Sequence, residues 1–372
     1  MKVGIFTQPL GMNYGGMLQN WALQQVLRKL SAEPVTIFYK RSSRLFKLYR
    51  FCRKTAVVSL KKLLKRHKYA HLRFPWELSS HHLMKQFAIK NIAFTPYMPQ
   101  PSDETITAEG IEAVVIGSDQ VWRPPFNKQW LPLMFCDFLK ADSQVKAASF
   151  AASFGTTEWE YPPRLEAMAK RNIGKFRAIS VREDFGIDLV REHFGCEAVQ
   201  TLDPSMLVDE AEYLTTIPDE VMANVPAGRV GVFILDLTDS KRRVVETVCR
   251  TLGKEPLYFG RIDPETRFFD PVERWLAAYS KCDFIITDSF HGTAFAINFG
   301  KPFISLVNLA RGGGRFHSLL SMFNLSDRLM EENSYDKTEA IVKAEINWTE
   351  VDDKLSEMRR RSVDFLQQFL NS

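Results

Sequence analysis

Cysteine is scarce in this chain, with five in 372 residues and no Cys-x-x-Cys spacing among them, which excludes a zinc knuckle and a disulfide framework. A reducing, cytoplasmic setting is the expectation. No uninterrupted apolar stretch approaches the roughly 18–20 residues of a membrane-spanning helix. The start of the chain, Val3-Gly4-Ile5-Phe6, reads as a first strand rather than as the apolar core of a signal peptide. Internal repeats and low-complexity tracts are absent. So are the glycine spacings of a dinucleotide fingerprint or a Walker loop, which leaves Asn13-Tyr14-Gly15-Gly16 as a generic loop for a polar ligand. No cluster has metal-ligand spacing, so no metal is expected. With 45% hydrophobic and 25% charged residues, the composition is that of a soluble globular protein.

Acidic residues are missing from one place in particular. Residues 40–73 hold thirteen of the 49 Lys and Arg and no Asp or Glu, so the remainder carries 36 basic against 44 acidic residues and the net +5 becomes −8. Basic character is therefore local. Within this insertion Lys61, Lys62, Lys65 and Arg66 alternate with aliphatic residues at roughly helical spacing, which suits a helix lying on an anionic membrane surface. The same pattern suits a surface insertion packed on its own domain, and both readings stand. No nucleic-acid-binding fold accompanies the patch, so a nucleic-acid partner is not expected.

Short β-branched runs alternate with helical periodicity along the whole chain. Val3–Thr7, Val35–Tyr39, Ala113–Gly117, Val145–Phe150, Ala178–Val181 and Gln200–Leu202 read as strands of one parallel sheet. Val230–Leu235, Leu257–Phe259, Phe284–Thr287 and Phe303–Val307 read as a second. The expected fold is α/β, two doubly wound Rossmann-like domains facing a cleft. Residues 1–208 form the first (acceptor) domain, 209–347 the second (donor) domain, and 348–372 a helix returning toward the first.

In such sheets ligands sit beyond the carboxyl ends of strands. His291 follows Phe284–Thr287 in a polar turn between Ser289 and Thr293, with Gly292 beside it and a short helix beyond; it is either a hydrogen-bonded structural histidine or a group beside a bound anion. Ser118 and Asp119 follow Ala113–Gly117 and are either a helix N-cap or part of a substrate site, with Gln120 and Trp122 next to them. Arg182 stands at another strand end. Arg311 and Arg315 flank three glycines, which suits either a surface loop or a clamp for phosphate or carboxylate.

Taken together, Asn13 to Gln19, Ile116 to Trp122, Ala152-Ser153-Phe154-Gly155, Ser180 to Glu183, Asp203-Pro204 and Asp288 to Thr293 resemble the polysaccharide pyruvyl transferase family. The matches occur in family order from residue 13 to about 325. The resemblance implies a GT-B-like fold and an enzyme that transfers pyruvate, as a ketal, from phosphoenolpyruvate to a sugar, with the donor as a substrate and no further cofactor. It places His291 and Asp119 in catalysis. Arg182, Ser289, Gly292, Thr293, Arg311 and Arg315 fall to the donor, and Asn13, Tyr14, Gly15, Ser118, Gln120, Trp122 and Ser153 to the acceptor, with Trp122 stacking on the ring. Relatives commonly carry Arg two residues before the histidine, where this chain has Ser289. The expected acceptor is a galactose or hexosamine of a lipid-linked capsule or exopolysaccharide intermediate, met at the inner face of the membrane. A nucleotide-sugar glycosyltransferase and a non-catalytic membrane-surface scaffold are the alternatives.

Overall fold

The computed structural model describes residues 1–11, 13–39, 80–127, 129–263, 268–307 and 313–372. Lys61, Lys62, Lys65, Arg66 and the rest of the basic insertion, and Arg311, lie outside the described residues.

Two parallel sheets form, as the alternating pattern requires. The first contains β1 (Lys2–Phe6), β2 (Glu33–Thr36), β3 (Ala113–Ile116), β4 (Lys146–Ala152), β5 (Phe176–Val181) and β6 (Val199–Gln200), in the order β2-β1-β3-β4-β5-β6. The second contains β7 (Val230–Phe233), β8 (Pro256–Tyr258), β11 (Phe284–Thr287), β12 (Phe303–Leu306) and β13 (Leu329–Met330), in the order β13-β12-β11-β7-β8. A small antiparallel pair, β9 (Arg261–Asp263) and β10 (Phe268–Phe269), stands apart. Ala113–Ile116 and Phe284–Thr287 are buried along their whole length, because helices cover both faces of each sheet and reward continuous apolar runs. In register, Val3 faces Ala113 across the β1–β3 ladder and Phe284 faces Val230 across β11–β7.

Both orders reverse direction once, between β1 and β3 in the first sheet and between β7 and β11 in the second. The loop after β3, which carries Asp119, and the turn into the helix after β11, whose second residue is His291, thus leave the sheets at their topological switch points.

One apolar cluster runs through both sheets, from Val3 and Leu18 to Trp275, Phe295 and Leu366. The helix Tyr14–Lys29 links them: Tyr14 stacks on Trp275 at 5.2 Å, and its hydroxyl lies 2.8 Å from the Gly260 carbonyl and 2.6 Å from that of Asp270. The helix Trp348–Asn371 lies against the first sheet. Its Ser362 hydroxyl accepts from Leu202 N–H at 2.9 Å, and Arg359 donates to the Met206 carbonyl and to the Asn298 amide oxygen. Among the described residues no helix is long and apolar enough to cross a membrane.

Candidate active site

β3 ends at Ile116, and the chain then turns sharply enough to put Asp119 in the left-handed region at φ 70°. Ala151, at the bulge where β4 meets β5, has φ 49°. Neither is glycine, and such conformations persist where surrounding contacts enforce them. Here the Asp119 carbonyl accepts from Ser153 N–H at 3.1 Å, which joins the turn to the end of β4. The Asp119 carboxylate is buried; it accepts from its neighbour Gln120 N–H at 2.9 Å and from Asn13 Nδ2 at 3.3 Å, and Arg315 Nη1 lies 3.8 Å away. Burial alone would raise this carboxyl, but His291, Arg182, Arg315 and the Gln120 N–H outweigh it and hold it below the usual range.

Arg182 follows β5 and is also buried. Its Nε donates to Glu183 at 3.0 Å, its Nη1 to Asp203 Oδ2 at 2.9 Å, and its face lies 4.1 Å over the Phe290 ring. Burial works against the cation; Glu183, Asp203 and Asp119 more than compensate and raise its pKa.

Asp203 is the hub. Its Oδ1 accepts from Ser205 N–H and hydroxyl, and its Oδ2 from Arg182, from Ser118 Oγ at 3.3 Å and from Gln19 Nε2. His291 Nε2 stands 3.7 Å from the same oxygen, an ionic rather than a hydrogen-bonded separation. Burial opposes the Asp203 charge, yet His291, Arg182 and Ser205 hold the carboxyl well below the carboxylate range. Arg315 completes the cluster; burial first, then the neighbouring Arg182 cation, lowers it to about 10 against the pull of Asp119.

His291 does not occupy a loop, as the sequence suggested. The helix Phe290–Asn298 begins one residue before it, with Ser289 as an extended N-cap whose side chain makes no cap hydrogen bond. The reason lies in packing. Phe290 slides beneath Arg182, and a Cβ on Gly292 would lie 2.0 Å from Thr287 Oγ1, so only glycine lets this turn sit on its own strand. The Asn13–Gly16 turn is likewise helical from Tyr14 onward. A Cβ on Gly15 would fall 2.0 Å from His291 Nδ1, so this glycine is where the two domains touch at the histidine.

The cluster therefore gathers His291, Asp119, Arg182 and Arg315 in one place, with Gly15 against it and Ser289 at its edge. Other expectations need correction. Of the seven residues assigned to a sugar, only Asn13 is exposed. Trp122, expected to stack on a sugar, is wholly buried, stacks on Phe135 at 5.1 Å and donates Nε1 to the Met134 carbonyl; it is core because its ring fills the space under the loop. Tyr14 bridges the domains, as described. Ser118 and Ser153 spend their hydroxyls on Asp203 and Glu183, and the Gln120 side chain accepts from Arg123 at 2.9 Å. Thr293 shares a 2.6 Å hydrogen bond with Ser305, and Gly292 serves the contact with Thr287, so both support the helix rather than face a ligand. Asp203, Glu183 and Gln19 had been given no role. All three lie within motifs already noted, and for the first two a strand end was the available signal; Gln19 closes the Asn13 to Gln19 motif but lies inside a helix, where no strand end marks it.

The family model described as polysaccharide pyruvyl transferase matches residues 13–309. No curated protein matches the sequence. Among solved structures, the UDP-GlcNAc 2-epimerase of Neisseria meningitidis bound to UDP-GlcNAc superposes with a TM-score of 0.52 at 11% identity, covering 99% of this chain and 100% of that one. The S. aureus MnaA–UDP co-structure gives 0.50 at 13% identity, over 100% and 96% of the two chains. The UDP-GlcNAc 2-epimerase of Methanocaldococcus jannaschii gives 0.50 at 11%, over 94% of each. At such identity the likeness is one of fold, and the fold is GT-B-like.

Proposed function

The chain belongs to the polysaccharide pyruvyl transferase family, and from that premise we propose that it transfers pyruvate as a ketal from phosphoenolpyruvate to a sugar, galactose or a hexosamine, of a lipid-linked capsule or exopolysaccharide intermediate. One observation carries this reading: the segments that leave the switch points of both sheets converge, so that a histidine from the second domain faces two ionised carboxylates and two guanidiniums held mainly by the first. Histidine is the side chain suited to trading protons near neutrality.

In the proposed sequence His291 gives its proton to the methylene carbon of the enolpyruvyl group, and the adjacent carbon acquires oxocarbenium character. A sugar hydroxyl adds to that carbon. Asp119, held ionised, accepts a hydrogen bond from this hydroxyl and orients it, and the departing phosphate takes its proton as the carbon–oxygen bond to phosphate breaks. A second hydroxyl then adds to the same carbon and returns a proton to His291. Methylene has become methyl, one phosphate is released, and the histidine is restored. Asp203 stabilises the imidazolium electrostatically across 3.7 Å.

The charges of the cluster bear on the donor. Arg182 and Arg315 face the three carboxylates of Asp119, Glu183 and Asp203, so protonated His291 brings the described groups to balance. An anionic donor calls for cations beyond these, and Arg311 keeps that proposed role. The basic insertion, through Lys61, Lys62, Lys65 and Arg66, is proposed to rest on anionic lipid at the inner face of the membrane, where a lipid-linked acceptor is met.

His291→Ala decides the central step. This variant should still fold, with a melting temperature lowered by the loss of the imidazole beside Asp203, and keep its stabilisation by phosphoenolpyruvate while losing acceptor-dependent phosphate release; release at the wild-type rate removes His291 from the mechanism. Stabilisation by a nucleoside diphosphate instead of phosphoenolpyruvate would favour a nucleotide-sugar donor.

A further inference from the structure

With six of the seven expected sugar contacts buried, the acceptor needs another approach. A cleft of about 870 Å³ opens where the β5–β6 end of the first sheet meets the helices Gly314–Met322 and Trp348–Asn371. We propose that this cleft is the saccharide subsite, and that a sugar hydroxyl at its inner end is read by Glu183 and Arg182. The proposal rests on the reading that the chain modifies a sugar.

Three observations carry it. The cleft wall is part polar, part apolar, and net acidic. Its four carboxylates, Asp184, Glu350, Asp353 and Glu357, outnumber its two cations, Lys354 and Arg361, which lie 3.0 Å and 3.5 Å from Glu357, and the excess is two negative charges; an anionic donor is disfavoured there, while a neutral polyhydroxylated ligand finds carboxylate, amide and hydroxyl partners. Second, the cleft leads toward the chemistry: Ser318 and Met322 line both it and an inner recess bounded by Arg182, Glu183, Asp203, Phe290 and Arg315. Third, Arg182 Nη2 and Glu183 Oε2, on residues only 4% and 1% exposed, have no hydrogen-bond partner in the protein. Buried polar atoms are ordinarily paired. The recess measures about 10 Å³, the room of a single oxygen. A hydroxyl satisfies both atoms, donating to the carboxylate and accepting from the guanidinium, whereas a phosphate or carboxylate is repelled by Glu183.

The test is saturation-transfer NMR on the full chain with lactose, N-acetyllactosamine and chitobiose as neutral probes and an unsaturated chondroitin disaccharide as the anionic control. At least one neutral probe should bind and the anionic one should not. Ser321→Trp, at an exposed position on the cleft wall, should weaken that binding at least about tenfold while leaving stabilisation by phosphoenolpyruvate intact. Glu183→Gln should weaken it too, and if that variant does not fold, Ser321→Trp decides alone. No neutral binding, binding indifferent to Ser321→Trp, or equal binding of the anionic control overturns the assignment. Saccharide binding that is sensitive to Ser321→Trp, in a protein that phosphoenolpyruvate does not stabilise, leaves the cleft standing and removes the donor reading instead.

Discussion

Replacing Gly15 by Ala asks how closely the two domains must fit around His291. The backbone of Gly15 is helical, so the methyl group meets no conformational penalty, and alanine is the better helix former by about 0.5–1 kcal/mol. The obstacle is the imidazole. A Cβ would lie 2.0 Å from Nδ1, 2.1 Å from Cγ and 2.4 Å from Cε1, whereas ordinary contact begins at 3.4 Å, so ring and helix must part by about 1.4 Å. Overpacking of this kind costs about 1–3 kcal/mol. Set against the helix gain, the net loss is up to about 2.5 kcal/mol. With an unfolding entropy of about 2.1 cal/mol/K per residue, that lowers the melting temperature by no more than about 3 °C. Turnover should fall much further, because a misplacement near 1 Å at a reacting group costs about 100-fold. Acceptor-dependent phosphate release and thermal melting measure the two effects, and a His291→Ala background separates them. Once the ring is gone, Gly15→Ala should cost no stability. Turnover within threefold of wild type, or a stability loss that persists without the imidazole, would refute the contact.

Asp203→Asn should destabilise by about 3–5 kcal/mol at neutral pH, since it strips a buried carboxylate from Arg182 and His291. The folded Asp203 pKa lies below its unfolded value near 4, so the contribution is present above that pH and fades as pH falls toward the folded value. Melting curves of wild type and variant should therefore lie furthest apart near pH 7 and converge in acid; a gap that does not vary with pH counts against the pairing. Tyr14→Phe removes the one proton shared by the Gly260 and Asp270 carbonyls and should cost about 1–3 kcal/mol in denaturant unfolding. Burial raises the Tyr14 phenol far above its ordinary pKa, so Tyr14 should not titrate in an alkaline absorbance scan of the folded protein, and an ordinary titration would contradict its placement. Reversing the charges of Lys61, Lys62, Lys65 and Arg66 should abolish sedimentation with anionic vesicles, at about 1 kcal/mol per cation; unchanged sedimentation ends the membrane reading.

The sheets were legible because buried parallel strands require runs such as Ala113–Ile116 and Phe284–Thr287, and few other contexts do. His291, Asp119 and Arg182 were legible for a related reason, as polar residues placed where such runs end. What escaped was tertiary. Gly15 and Gly292 read locally as turn formers, yet both lie in helices and are glycine because His291 and Thr287 occupy the space of a Cβ. Trp122 after a strand reads equally well as a stacking platform or as core, and Phe135, thirteen residues on, decides for core. The acids were passed over because an anionic donor directs attention to cations, while the structure spends the Arg182 guanidinium on Glu183 and Asp203 first.

That expenditure explains why the cluster spans both domains. Asp203 belongs to the first domain and His291 to the second, and they face each other only while the domains are joined. The loop that carries Asp203 is held from three sides. Gln19 reaches it from the linking helix, Ser362 fixes Leu202 just before it, and Arg359 fixes Met206 just after it while also holding Asn298 of the His291 helix. The last two belong to the carboxyl-terminal helix, which touches neither His291 nor Asp203 through these bonds yet sets the separation between them. A charge pair at 3.7 Å is sensitive to small displacements, since its energy varies inversely with distance at a low effective dielectric. The carboxyl-terminal helix is thus a positioning element for the histidine.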